Sequence, residues 1–212
     1  MRTSTVVKAL LAAAAVTPLL CQAESNFQTG AGSPLTATAH VDFQITIPKF
    51  LFLRIGTGTG TAAGGFATNA TVDQITWAPT AAQVGNGTAL AGTGGDLTGG
   101  VETAVVVANN GNVTLSSSTT AAMNDGAGDT ISYTQIKATA TNNTTGTVLQ
   151  PPALADGATT SSTLTAVAKI VQQDAKWAYT YLNTTVPPAG TYGGGGAGNT
   201  GAGRVTYTAS VP

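Results

Sequence analysis

From Leu35 to Ile47, apolar and polar side chains alternate without a break. Leu35, Ala37, Ala39, Val41, Phe43, Ile45 and Ile47 form one set. Thr36, Thr38, His40, Asp42, Gln44 and Thr46 form the other. A period of two sustained this long predicts a β-strand with one wet and one buried face. At about 3.3 Å per residue it would reach roughly 43 Å, well beyond the usual strand of about five or six residues. Pro48 lacks an amide donor and marks a bend or bulge after it. The apolar run "KFLFLRIG" (49–56) then reads as a second strand segment packed on both faces.

The same reading places further strands along the chain. "TVDQITW" (71–77) is a short one, and "VETAVVVA" (101–108) is β-branched. "NNG" (109–111) is a turn signal, so 101–108 and "NVTLSSS" (112–118) are expected to pair as a hairpin. In "DTISYTQIKATA" (129–140) the apolar phase shifts between Tyr133 and Ile136, which points to a bulge. "TLTAVAKIV" (163–171) fits both the helical and the strand period, and its Thr and Val favour strand. "KWAYTYLN" (176–183) alternates Trp177, Tyr179 and Tyr181; "RVTYTASVP" (204–212) alternates Val205, Tyr207, Ala209 and Val211. Between these segments lie Gly-rich loops such as 57–65, 85–100 and 185–203. Eight or nine strands with no helix predict an all-β chain, an antiparallel β-sandwich with Greek-key or jelly-roll connections spanning 35–212.

Residues 1–23 are expected to lie outside that domain. Arg2 and Lys8 precede the apolar stretch 9–20, and "CQA" (21–23) offers small residues for cleavage, the pattern of an export signal. Cleavage after Ala23 would leave 24–34 as a flexible lead-in. Leu20 stands where a lipoprotein signal places a small residue, which argues against Cys21 as a lipid anchor. Cys21 is the single cysteine, so the exported chain would use no disulfide, cysteine nucleophile or thiolate metal site. Beyond the signal no apolar run is long enough for a transmembrane helix.

Composition narrows function more by subtraction than by addition. Charged residues are 8% of the chain and the formal net charge is −1. No basic patch suits nucleic acid, and few charges remain to block edge-to-edge strand pairing. His40 is the only histidine and sits on the polar face of the first strand, beside Asp42 but with no evident nucleophile. "NDGAGD" (124–129) offers oxygens to Ca²⁺, but lacks a full ligand ladder. No catalytic residue, metal site or cofactor is assigned. The aromatic residues Trp77, Trp177, Tyr179 and Tyr181 are either core or a stacking platform for a glycan.

The alternating segment 35–47 after an export signal, with the alternating C-terminal strand 204–212, resembles secreted bacterial fimbrial subunits. What that resemblance implies is a structural role at the cell surface or outside it. Residues 35–47 would be lent to a neighbouring subunit, and 204–211 would border the accepting groove. Partners would then be further copies or other surface subunits. The cysteine pair common in chaperone–usher pilins is missing here, so the resemblance does not extend to that assembly route. The competing expectation is a monomeric carbohydrate-binding or adhesive sandwich.

Overall fold

A computed structural model describes residues 25–32, 34–57, 66, 68–144, 146–194 and 203–212. The export signal expected over 1–23 lies outside the described residues. The chain divides into two units, Met1–Ile47 and Pro48–Pro212. Among the described residues no helix is long and apolar enough to cross a membrane.

Among the described residues all the strands lie in the second unit. In chain order they are β1 (Leu51–Ile55), β2 (Ile75–Thr76), β3 (Leu90–Ala91), β4 (Thr93–Gly94), β5 (Val101–Ala108) and β6 (Val113–Ser118). There follow β7 (Met123–Asn124), β8 (Thr130–Ile131), β9 (Ile136–Thr141), β10 (Thr159–Leu164), β11 (Val171–Tyr181) and β12 (Thr206–Ser210). The larger sheet is built around β11, with β5 then β1 on one side and β9 on the other. The second sheet runs β10-β6-β12. Every ladder between named strands is antiparallel.

The two sheets share one core. Ala104, Val106 and Ala108 of β5, with Val171, Ala175 and Trp177 of β11, pack against Val113 and Leu115 of β6 and Leu164 of β10. Tyr207 and Ala209 of β12 close the same cluster. The Trp177 and Tyr207 rings cross between the sheets at 5.3 Å. This is the expected sandwich, and its β-branched strand 101–108 is buried along nearly its whole length because both of its faces are covered.

Four local expectations are corrected. β5 and β6 do not form a hairpin; they belong to different sheets. The Asn109 side chain is drawn away, accepting from the Phe50 amide at 2.9 Å and donating to the Pro48 carbonyl at 2.8 Å. The Gly111 amide likewise donates to the Lys169 carbonyl. The phase shift after Tyr133 is a 3₁₀ turn over Tyr133–Gln135, capped by the Ser132 side chain, rather than a bulge. The strand expected over 163–171 ends at Leu164; a tight turn with positive φ at Ala168 and Lys169 joins Val167 to Ile170. β11 therefore starts five residues before Lys176. Of the strand expected over 71–77, only Ile75–Thr76 pairs.

β3 and β5 lie end to end along the same side of β11, and residues 92–100 loop out between them. Gly92 and Gly100 face each other where the loop leaves and returns. A Cβ on Gly100, whose φ is +74°, would sit 2.7 Å from the Gly92 Cα. The loop contains β4, which pairs with β2 and so holds segment 71–77 beside the sandwich.

Asn183 fastens the far end of β11. It is fully buried at φ +55°, its Oδ1 accepts from the Gly85 amide at 2.8 Å, and its Nδ2 donates to the Gln83 carbonyl at 2.6 Å. Asn183→Ala is expected to cost about 1–3 kcal/mol, because it leaves two part-buried backbone groups without their partner. Asn183→Gly should recover only the part due to the left-handed backbone. Urea midpoints of the two variants check this.

Candidate functional site

Residues 34–47 carry no assigned strand, and among the described residues the face expected to be buried over 35–47 is exposed. Alternation suits a strand with one buried face, but a strand forms only against a partner. Its largest apolar members are instead open to solvent: Val41 is 75% exposed, Phe43 90%, Ile45 86% and Ile47 75%. Leu35 is exposed as well, and Ala37 and Ala39 fall in the same exposed run. Exposed large apolar side chains are unremarkable singly, but a contiguous set on one segment marks an interaction surface. His40 and Asp42 share that exposed segment.

The C-terminal strand β12 is the outer strand of the second sheet. β12 pairs with β6 over Thr206–Ser210; among the described residues no second strand is hydrogen-bonded to it, although β1 runs close by. Tyr207, Ala209 and Val211 pack toward the core, while Thr206, Thr208 and Ser210 are exposed. Lys49 and Asn110 both donate to the Pro212 carbonyl, which ties the end of the chain to the β1 side of the fold.

A second feature lies at one end of the sandwich. There a cleft of about 950 Å³ is bounded by segment 71–79, the loop 187–194 and the start of β12. Its aromatic lining is Trp77, Tyr133, Tyr179, Tyr181, Tyr192 and Tyr207. Three of the four aromatic residues singled out by sequence, Trp77, Tyr179 and Tyr181, are thus brought together. Trp177 is not among them. It has no exposed surface, and its Nε1 donates to the Leu149 carbonyl at 2.7 Å, so it is a core residue that cannot stack on a ligand.

Glu102 lines the same cleft, and its partner Asp73 is not legible in the sequence, because the two lie far apart along the chain. Glu102 is 5% exposed. Burial raises its carboxyl to about 7, the Asp96 amide at 3.2 Å from Oε2 opposes the rise, and the charges of Asp73 and Asp96 add to it. Asp73 shares a side-chain hydrogen bond with Glu102 and also accepts from the Thr57 amide at 2.7 Å. A Cβ on Gly56 would collide with both carboxyl groups. The pair therefore joins segment 71–77 to β5 while Glu102 holds its proton. Tyr179 and Tyr207 flank it, their hydroxyls bonded at 2.9 Å; burial pushes Tyr207 to about 12 and Tyr179 well above its usual range.

Glu102 binds its proton more tightly folded, about 7, than unfolded, 4.5. This part of the stability is complete below 4.5 and is lost as pH rises to about 7. The loss should be on the order of 1–3 kcal/mol. Glu102→Gln is expected to abolish that component, so its urea midpoint should change less between pH 5 and pH 8 than that of the parent.

The loop "NDGAGD" is organised by its own backbone amides. Asp125 Oδ1 accepts from the Ala127, Gly128 and Asp129 amides at 2.8–3.1 Å, and the first of these contributes most to holding its carboxyl below the usual range. The loop closes the short β7–β8 hairpin. Among the described residues no group of three or more His, Cys, Asp or Glu side chains is placed to hold a metal. Comparisons with protein-family models, with curated proteins and with solved structures each returned no match.

Proposed function

We propose that this chain is an exported, non-enzymatic structural subunit of a bacterial surface or extracellular assembly, joined to further copies by donation of residues 35–47. The observation that carries the reading is the exposed apolar alternation Val41, Phe43, Ile45, Ile47 in a segment with no assigned strand. Strand addition would provide what that segment lacks: a backbone ladder, with alternate side chains taken into an apolar space. β12 supports a place for it: as the outer strand of its sheet it is hydrogen-bonded only to β6, and its inward set Tyr207, Ala209 and Val211 already faces the core. Only one charged residue, Asp42, lies in 35–47, so there is little to block edge pairing. A contact in which one copy lends at its N-terminus and accepts at its C-terminal strand is head-to-tail and propagates.

The test is the oligomeric state of the chain from residue 24 onward, by light scattering and negative-stain microscopy. Multimers that lengthen with concentration are expected, and the 48–212 fragment should be monomeric with an unchanged melting temperature. A parent that stays monomeric at every concentration would overturn the reading. So would a fragment that is much less stable, because residues 35–47 would then be supporting their own domain.

A further inference from the structure

We propose that the aromatic cleft at the end of the sandwich is a binding site for a neutral saccharide. The cleft falls within the size range of small-ligand sites, about 300–1,000 Å³. Its aromatic residues come from separate parts of the chain: Trp77 from the segment after β2, Tyr192 from the loop 187–194, Tyr207 from β12, and Tyr179 and Tyr181 from β11. Trp77, Tyr192 and Tyr207 are only partly buried, so ring surface remains for a partner, whereas Trp177 has none. A core needs no such remainder. Amphipathic rings present an apolar face and a polar tip, which matches the flat C–H faces and the hydroxyl rim of a pyranose.

The polar groups favour a ligand without charge. The ionisable side chains along the lining, apart from the tyrosines, are Asp73, Glu102 and Arg204. Asp73 and Arg204 have opposite signs, and Glu102 keeps its proton up to about pH 7, so the lining is close to neutral. The bonded pair Tyr179–Tyr207 has one hydroxyl hydrogen committed between its members and a second left to donate, with lone pairs to accept. Asn183, also on the lining, is already engaged with Gln83 and Gly85. Aromatic surface plus a few neutral donors and acceptors is what a sugar requires; a cluster of uncompensated charge is what an ionic ligand would require. This site is independent of strand donation, and each can fail without the other.

The experiment is a tryptophan-fluorescence and calorimetric titration of the chain from residue 24 onward, at pH 6. The probes are cellotetraose, chitotetraose and maltotetraose. At least one should saturate and change the emission of Trp77, with Trp177 as the unresponsive buried reference. Trp77→Phe should abolish the fluorescence change while heat of binding persists. Tyr192→Ala should weaken binding about tenfold with an unchanged melting temperature, and Tyr192→Phe should restore it. No saturation by any of the three at millimolar concentration would overturn the proposal, as would binding insensitive to Tyr192→Ala. A peptide of residues 34–48 that saturates the Trp77 signal where no saccharide does would also overturn it, assigning the cleft to strand donation instead.

Discussion

Replacing Phe43 and Ile45 together by aspartate is expected to leave the melting temperature of the protein unchanged and to abolish its self-association. Both side chains are almost wholly exposed, so neither contributes core packing to the unit that carries the strands. In a strand accepted by another copy both would be buried, each contributing roughly 1.5–3 kcal/mol. Losing the pair removes about 3–6 kcal/mol of association free energy, two to four decades in affinity. Burying two carboxylates in their place would cost more. Light scattering across a concentration series reads the loss, and a melting curve shows that the domain is intact. Replacing His40 and Gln44 by serine, on the polar set, is the control and should change affinity by less than tenfold.

The largest loss of stability is expected from Trp177→Ala. Trp177 is the largest of the fully buried side chains, crosses Tyr207 between the sheets, and donates to the Leu149 carbonyl. Truncating such a ring costs about 3–5 kcal/mol in cavity and lost transfer energy, and the orphaned carbonyl adds about 1–3 kcal/mol. Against total stabilities of about 5–15 kcal/mol, that is enough to leave a large unfolded fraction at room temperature. Trp177→Phe keeps much of the volume and should cost less than half as much. Urea unfolding followed by circular dichroism distinguishes the two.

The β-rich character, the strands near 101–108, 113–118 and 204–212, and the inward Val205–Val211 set were legible because alternation and β-branching report burial on a sheet directly. Connections were less legible. Asn109-Asn110-Gly111 has the residues of a hairpin turn, but Asn109 binds backbone groups of residues 48 and 50, so the chain crosses between sheets. Ala168-Lys169 has none of the turn residues, yet takes positive φ at both positions. Its neighbours β10 and β11 belong to different sheets and fix where the chain must reverse. Trp177 and Tyr179 are two residues apart and share a sheet face, but one lies in the middle of the core and the other at the cleft. Alternation gives the face, not the distance from the end. The Glu102–Asp73 pair could not be read from spacing, because the loop 92–100 and segment 71–77 bring it together only through the β2–β4 pairing.

Cysteine trapping tests the donated strand most directly, because Cys21 is the single cysteine of the chain and precedes residue 24. Thr208 lies on the exposed face of β12, and a strand added at that edge would set its own polar members beside it. Thr208→Cys is combined in one chain with a cysteine at residue 40, 42, 44 or 46. On mild oxidation at least one combination is expected to yield a ladder of covalent multimers that disappears on reduction, while each single-cysteine variant stops at dimers. Monomers closed by an internal disulfide, or no cross-link at any of the four positions, would contradict donation of residues 35–47 to the β12 edge of another copy.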